Sequence, residues 1–244
     1  MSSAKKRLDE LLVLRGLVET RAKARALIMA GEVLVNETPA QKAGFLVSDD
    51  AVIRVRNVSK FVSRGGEKLE AALSRFSVDA KDLICLDVGA STGGFTDCLL
   101  QRGAKKIYAI DVGYGQLHWK LQSDSRVIRM DRVNFRLIDV KTFPERVDVA
   151  VMDASFVSAA LLIPNLSALL KAGGTAVILV KPQFEVGKGA VGKGGIVRDE
   201  LKRLACVQTI RKALEAHALQ VLGEMESPLR GGDGNVEYLL MAKK

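Results

Sequence analysis

The sequence predicts an α/β protein: a doubly wound, Rossmann-like sheet of seven strands with the last one antiparallel, preceded by a small α+β domain. From about residue 61 onward, short apolar runs alternate with helical segments, which is typical of a parallel sheet covered by helices. The first sixty residues lack this alternation, and residues 1–25 carry seven Lys/Arg against three Asp/Glu. We therefore predict two domains, residues 1–60 and 61–244.

Charge and composition narrow the class of protein. The chain has 244 residues and a formal net charge of +9, which suits a polyanionic partner such as nucleic acid, although a basic surface can also serve solubility alone. Its three cysteines have no metal-binding spacing, so we expect a reduced, cytoplasmic protein that needs no metal. No signal peptide and no run of roughly 20 apolar residues is visible, so no membrane contact is expected. A monomer is favoured.

The first domain begins with two short helices. Leu8, Leu11 and Leu12 share one face of the first, and Thr20 is placed to cap the second, which ends at Gly31. Strands are predicted at residues 33–36 and 51–55. The basic residues of this region are Arg15, Arg21, Lys23 and Arg25. A charged helix face is often merely solvated, so composition alone leaves their role open.

The run from Thr20 to Asn36 closely resembles the small RNA-binding domain of ribosomal protein S4, although residues 37–39 replace a glycine turn that is frequent there. The resemblance implies that the basic helix face lies along structured RNA and contacts phosphates more than bases.

In the second domain, a helix is predicted around Leu69, Ala72, Leu73 and Phe76, followed by seven strands. The predicted strands are Leu83–Val88, Lys106–Ile110, Arg126–Met130, Val147–Met152, Thr175–Val180, Leu219–Met225 and Val236–Met241. Later helices are predicted at Phe156–Leu170 and Asp199–Ala218. The last two strands have no helix between them, so the final one should be antiparallel. The Gly/Lys-rich residues 181–198 should form a mobile loop beside the site.

The segment Asp87–Phe95 predicts a nucleotide site. It follows an apolar strand, contains three glycines and leads into a helix, and the next strand ends at Asp111, an acid placed to bind ribose hydroxyls. Read alone, such a turn fits either a dinucleotide or S-adenosylmethionine. Dinucleotide sites have a glycine where this turn has Ser91, so the spacing favours a ligand without a pyrophosphate, which is S-adenosylmethionine.

The residues after the fourth and fifth strands indicate the chemistry. Asp153-Ala154-Ser155-Phe156 lacks the prolines of amine-methylating enzymes and the cysteine of carbon-methylating ones. Lys181 follows the fifth strand, and a desolvated lysine can act as the base that a sugar hydroxyl requires. Lys68, predicted in the first turn of its helix, supplies a second cation, and Asp153 and Glu237 can orient the two lysines. Each lysine taken singly is better explained as solvated surface; the set of four favours a site.

These four residues and Asp87–Phe95 resemble the FtsJ class of RNA ribose methyltransferases. Together with the S4-like domain and the segments 63–69, 181–185 and 234–238, they closely resemble the TlyA family. That resemblance implies S-adenosylmethionine-dependent 2′-O-methylation of cytidine in ribosomal RNA. The sequence leaves open whether one or both ribosomal subunits are modified. It implies that Lys181 deprotonates the ribose hydroxyl, that Lys68 tunes it, and that Asp153 and Glu237 hold the geometry. Asp111 would bind the cofactor ribose and Asp131 the adenine amine.

The predicted cofactor contacts are Gly89, Ala90, Ser91, Thr92, Gly93, Gly94, Phe95, Asp111, Val112, Asp131 and Asp153. The predicted RNA contacts are Arg15, Arg21, Lys23, Arg25, Arg64, Lys188 and Lys193. Three alternatives remain: a haemolysin, which is the family's historical label; a ribosome-assembly factor without catalysis; and a nicotinamide oxidoreductase, which the turn spacing disfavours.

Overall fold

The structure is a computed structural model that describes residues 5–56, 60–187, 189 and 191–244. The chain divides into two compact units, Met1–Ser59 and Lys60–Lys244. Each unit has its own hydrophobic core.

Within its described residues, the first unit contains two helices and five very short strands. In chain order they are β1 (Lys5–Arg7), α1 (Leu8–Leu14), α2 (Arg21–Met29), β2 (Val33–Val35), β3 (Thr38–Pro39), β4 (Leu46–Ser48) and β5 (Ile53–Val55). β1 pairs with β4, and β2 lies between β3 and β5.

Both helices of this unit pack as the sequence predicts, and the second begins at its predicted cap. Leu8, Leu11 and Leu12 are buried on α1. The Thr20 hydroxyl accepts a hydrogen bond from the backbone N–H of Lys23 at 3.2 Å, which caps α2. Strands β1, β3 and β4 were not predicted; β1 and β3 contain no apolar run from which a strand could be predicted.

In the part that the structure describes, the second unit contains six helices and a seven-stranded sheet. In chain order they are α3 (Arg64–Arg75), β6 (Ile84–Val88), α4 (Gly94–Gln101), β7 (Lys106–Asp111), α5 (Trp119–Gln122), β8 (Val127–Asp131), β9 (Val147–Met152), α6 (Ile163–Leu169), β10 (Leu170–Val180), α7 (Pro182–Glu185), α8 (Glu200–Ala216), β11 (Gln220–Glu226) and β12 (Tyr238–Lys243). Short 3₁₀ turns lie at Phe135–Leu137, Ala159–Leu161 and Lys193–Gly195.

The sheet has the order β11-β12-β10-β9-β6-β7-β8. The five strands from β10 to β8 are parallel, and β12 runs antiparallel to both β10 and β11. The predicted fold class, including the reversed last strand, is confirmed. The chain leaves the adjacent strands β6 and β9 in opposite directions along the sheet, so their carboxyl ends form the crevice where open α/β sheets bind ligands.

The predicted helix Phe156–Leu170 is wrong over its first half. Phe156 has a φ of +65°, and a 3₁₀ turn at Ala159–Leu161 precedes α6, which has Pro164 within its first turn. Strand β10 then begins at Leu170, five residues before the predicted start, with a register shift between Leu170 and Thr175. The irregular residues 153–158 are therefore free to form part of the crevice.

Candidate active site

Two adjoining cavities lie at the carboxyl ends of β6 and β9. The smaller, about 260 Å³, is lined by polar groups that include Lys68, Asp153 and Lys181. The larger, about 490 Å³, is lined by apolar side chains and by Asp111. Both are bounded by Gly89, Ser91, Asp153 and Ser155. The predicted contacts that line the smaller cavity are Gly89, Ala90, Ser91, Thr92, Gly94, Phe95 and Asp153, and those that line the larger are Gly89, Ser91, Asp111, Val112 and Asp153.

The glycine turn adopts a backbone conformation that requires glycine at two of its positions. Gly89 and Gly93 have φ values of +83° and +94°, where side chains are strained. A Cβ at Gly89 would lie 2.6 Å from the carbonyl oxygen of Asp153, so no other residue lets β6 and β9 approach this closely. The turn therefore brings backbone, rather than side chains, to the cavity wall.

Asp111 is held rigidly beside this turn. One carboxylate oxygen accepts a hydrogen bond from the backbone N–H of Ser91 at 2.8 Å, and the other accepts one from Gly113 at 2.7 Å. A carboxylate oxygen can accept more than one hydrogen bond, so Asp111 retains acceptor capacity on the larger cavity. Val112, next to it, is exposed at the rim.

Asp131, predicted at the adenine, lies at the end of β8 beside Asp111. Its carboxylate accepts a hydrogen bond from Gly115 N–H at 3.0 Å, ion-pairs with Arg129 at 3.3 Å, and lines a much smaller cavity that shares Ser91 and Asp111 with the larger one. Asn134, three residues later, lines the larger cavity. Asn134 was not predicted, because periodicity does not show which side chain of the turn after β8 faces a cavity.

Lys181 lines the smaller cavity. Its ammonium nitrogen is 2.5 Å from Asp153 Oδ1 and donates a hydrogen bond to the Ser155 hydroxyl at 2.8 Å. Lys181 directly follows β10, and Asp153 directly follows β9. Parallel neighbouring strands end at the same edge of the sheet, so these two side chains meet there. Ser155 was not predicted as a site residue.

Lys68 and Glu237 form a second, more buried ion pair at 2.5 Å, with side chains 9% and 2% exposed. Glu237 directly precedes β12, and the reversal of that strand brings Glu237 to the same sheet edge as Asp153 and Lys181. Lys68 lines the smaller cavity. Its prediction in the first turn of a helix is wrong: α3 begins at Arg64, and Lys68 is its fifth residue.

The segment after Asp153 is clamped to the segment after Lys181. Glu185 accepts hydrogen bonds from the Ser158 hydroxyl at 2.5 Å and from Ala159 N–H at 2.8 Å, and burial raises the pKa of its carboxyl. Phe156, 91% exposed, lies with its ring 5.2 Å from that of Phe184. These contacts were missed, since they join residues almost thirty positions apart.

A buried acid lies beneath the glycine turn. Asp87 is fully buried and accepts a hydrogen bond from the Thr96 hydroxyl at 2.6 Å. Burial raises the pKa of Asp87 to about 7, because an ionised carboxylate is poorly solvated there and the nearby Asp153 adds repulsion. Near neutral pH, the Asp87 carboxyl is therefore only partly ionised.

In the first unit, three arginines surround one buried acid. Asp9 is fully buried and accepts hydrogen bonds from Arg7, Arg21 and Arg25, which hold the pKa of its carboxyl well below the usual range. The side chains of Arg21 and Arg25 are still about half exposed. These contacts fix the two guanidinium groups on the surface of α2.

The remaining predicted RNA contacts are scattered. Arg15 donates to the backbone carbonyls of Asp49 and Ala51, and Lys23 lies 3.7 Å from Glu19. Arg64 lines the smaller cavity. Lys193 begins a 3₁₀ turn, and Lys188 lies outside the described residues.

A mostly parallel seven-stranded sheet with one reversed strand, and with a glycine turn and an acid at its crevice, defines the Rossmann-like fold of methyltransferases. The model of the FtsJ-like methyltransferase family matches residues 61–244, and that of the S4 domain matches residues 6–53.

Full-length relatives agree with both matches. The Bacillus subtilis protein YqxC, provisionally named as an rRNA methyltransferase, is 49% identical over 98% of this chain and 86% of its own. The 16S/23S rRNA (cytidine-2′-O)-methyltransferase TlyA of Mycobacterium tuberculosis is 44% identical over 96% and 88%. A solved Streptococcus thermophilus structure with a provisional hemolysin name has a TM-score of 0.76 at 41% identity, covering 98% of this chain and 88% of its own. The chain belongs to the FtsJ-like methyltransferase family and carries an S4 domain.

Proposed function

We propose that the protein transfers a methyl group from S-adenosylmethionine to a ribose 2′-hydroxyl of ribosomal RNA, with cytidine as the target nucleoside. The observation that carries the proposal is Lys181 on the wall of the smaller cavity, ion-paired with Asp153, which lines both cavities. The family match and the names of the full-length relatives support the same reaction.

The larger cavity fits the cofactor's adenosine. Its apolar lining, including Ile110 and Phe135, suits a purine, and Asp111 presents carboxylate oxygens for the ribose hydroxyls. Asn134 replaces Asp131 as the residue assigned to the adenine edge, because Asn134 faces this cavity. When bound, S-adenosylmethionine supplies a methyl group on a positively charged sulfur.

Lys181 performs the proton transfer. In its neutral form it takes the proton of the 2′-hydroxyl while that oxygen forms its bond to the methyl carbon, whose bond to sulfur breaks with the electron pair left on sulfur. Lys181 becomes an ammonium, which Asp153 stabilises at 2.5 Å. Its proton then passes to solvent, and the base is restored.

Lys68 acts as a fixed positive charge on the wall of the smaller cavity. Glu237 holds it from behind, and both side chains are almost fully buried.

The first unit is proposed to bring the reactive site to its RNA substrate. Arg21 and Arg25 are held in place by Asp9 and remain half exposed, so they can contact phosphates without losing side-chain entropy on binding. This assignment rests on the S4 domain match and on the basic charge of the chain.

The hemolysin name of one relative raises a different function. In the described part of the chain, no helix is both long and apolar enough to cross a membrane. The four residues Lys68, Asp153, Lys181 and Glu237 form two ion pairs at one sheet edge, an arrangement that an RNA-binding assembly factor without catalysis would not need.

Ribose-methylation mapping of ribosomal RNA from a strain lacking the gene tests the proposal. We expect the loss of a 2′-O-methyl group from a cytidine, and its return when the gene is restored but not when Lys181→Ala is supplied. A methylation map identical to that of the parent strain would contradict the proposal.

A further inference from the structure

We propose that Ser155 is a positioning residue that fixes the direction in which the Lys181 amine faces the ribose hydroxyl. The inference rests on the proposed function and deepens it. Ser155 is outside the set of four residues that the sequence analysis assigned to catalysis.

The geometry around the Lys181 nitrogen carries the argument. A lysine amine is tetrahedral, with three directions besides its own carbon, and it can rotate about its terminal bond. Asp153 Oδ1 lies 2.5 Å away as an ion-pair partner without hydrogen-bond geometry, whereas the Ser155 hydroxyl accepts a hydrogen bond from the nitrogen at 2.8 Å. When the nitrogen is neutral, the N–H directed at Ser155 fixes one of its three directions, and the nearby carboxylate repels the lone pair from a second. With the ion pair alone, the amine would be free to rotate.

Ser155 is itself held in place. The chain reverses at Phe156, whose φ is +65°, and is then fixed by Glu185 through Ser158 and Ala159. Glu185 ends α7, whose N-cap residue is Lys181. The segments that carry Ser155 and Lys181 are thus tied together by a partly buried carboxylate, and the 2.8 Å contact is set by the fold rather than by a flexible side chain.

The position of Ser155 also fits this role. Ser155, like Asp153, borders both cavities, so its hydroxyl lies at the boundary where the methyl group must meet the ribose oxygen. A misdirected lone pair at that boundary would lower the rate without weakening the binding of either substrate.

The test uses Ser155→Ala and Ser155→Thr in the full chain, assayed with ribosomal RNA and S-adenosylmethionine under single-turnover conditions. We expect Ser155→Ala to lower the rate about tenfold, the effect of losing one hydrogen bond to a charged group, with the affinity for cofactor and for RNA unchanged. Ser155→Thr, which keeps the hydroxyl, should restore most of the rate.

A pH series separates this role from a merely structural one. The hydroxyl accepts a hydrogen bond from the ammonium and so favours the protonated lysine. Its removal should therefore move the pH of half-maximal rate downward, while the plateau stays low. Ser123→Ala serves as the matched control, because the Ser123 hydroxyl donates to the backbone carbonyls of Trp119 and Lys120 in α5. This variant is expected to leave the rate and its pH dependence unchanged.

Two outcomes would overturn the inference alone: a Ser155→Ala rate equal to that of the unaltered protein, or equal losses in the Ala and Thr variants with no pH shift. If the unaltered protein transfers no methyl group to ribose, the proposed function and this inference fail together.

Discussion

The site contains two lysine–carboxylate pairs of the same length that differ in their surroundings. The two lysines are similar, since Lys181 and Lys68 are 12% and 9% exposed and both line the smaller cavity. Their carboxylate partners differ, because Asp153 is 23% exposed and lines both cavities, whereas Glu237 is 2% exposed and lines neither. The comparison teaches that the setting of the carboxylate, rather than the burial of the lysine, distinguishes the pair assigned to proton transfer from the pair assigned to support.

The largest effect is expected at Lys181. Lys181→Ala removes the base, so the rate of methyl transfer should fall by about 10²–10⁴-fold, while the affinity for S-adenosylmethionine stays nearly unchanged. Single-turnover assays and calorimetry measure the two quantities.

Lys181→Arg distinguishes a base from a simple positive charge. A guanidinium group stays protonated, so this variant should also be inactive. Methyl transfer by the Arg variant at the unaltered rate would mean that Lys181 supplies charge alone.

The next largest effect is expected on stability, at the Lys68–Glu237 pair. Glu237→Ala leaves Lys68 buried without its partner, which should lower the free energy of unfolding by about 3–5 kcal/mol in urea denaturation. The double variant Lys68→Met/Glu237→Leu should recover most of that loss, because neither charge remains. A double variant as unstable as Glu237→Ala would show that the ion pair stabilises the fold by more than the neutralisation of its two buried charges.

A smaller effect is expected on cofactor affinity alone. Asp111→Ala removes the acceptor for the ribose hydroxyls and should weaken S-adenosylmethionine binding by about 1.5–3 kcal/mol, roughly tenfold to a hundredfold. Asp131→Asn is the comparison variant, since Asp131 lines a much smaller cavity that shares Ser91 and Asp111 with the larger one, and it should weaken binding less than Asp111→Ala does. Equal losses in the two variants would restore Asp131 to the adenine site.

The smallest effect is expected far from both pairs. Lys23→Ala removes one exposed charge of α2 without disturbing Asp9, so affinity for ribosomal RNA should fall a few-fold and the slope of log affinity against log salt should decrease by about 0.7–0.9. Filter binding across a salt series measures it. An unchanged slope would mean that Lys23 does not contact a phosphate.

The sequence predicts features that depend on local periodicity and fails where distant segments meet. The strands around the glycine turn and the Thr20 cap follow from short runs of residues, and both are present as predicted. The Ser155–Lys181 contact and the Glu185 clamp join segments 26 or 27 residues apart, so no local pattern predicts them. Asn134 was missed for a related reason, because which side chain faces the cavity depends on where β8 ends.

The most direct measurement uses the purified full-length protein, ribosomal RNA and methyl-labelled S-adenosylmethionine, followed by digestion to nucleosides and mass spectrometry. The account predicts label in 2′-O-methylcytidine with the unaltered protein and none with Lys181→Ala, although that variant still binds the cofactor. Label on a base, or equal ribose labelling by the two proteins, would contradict it.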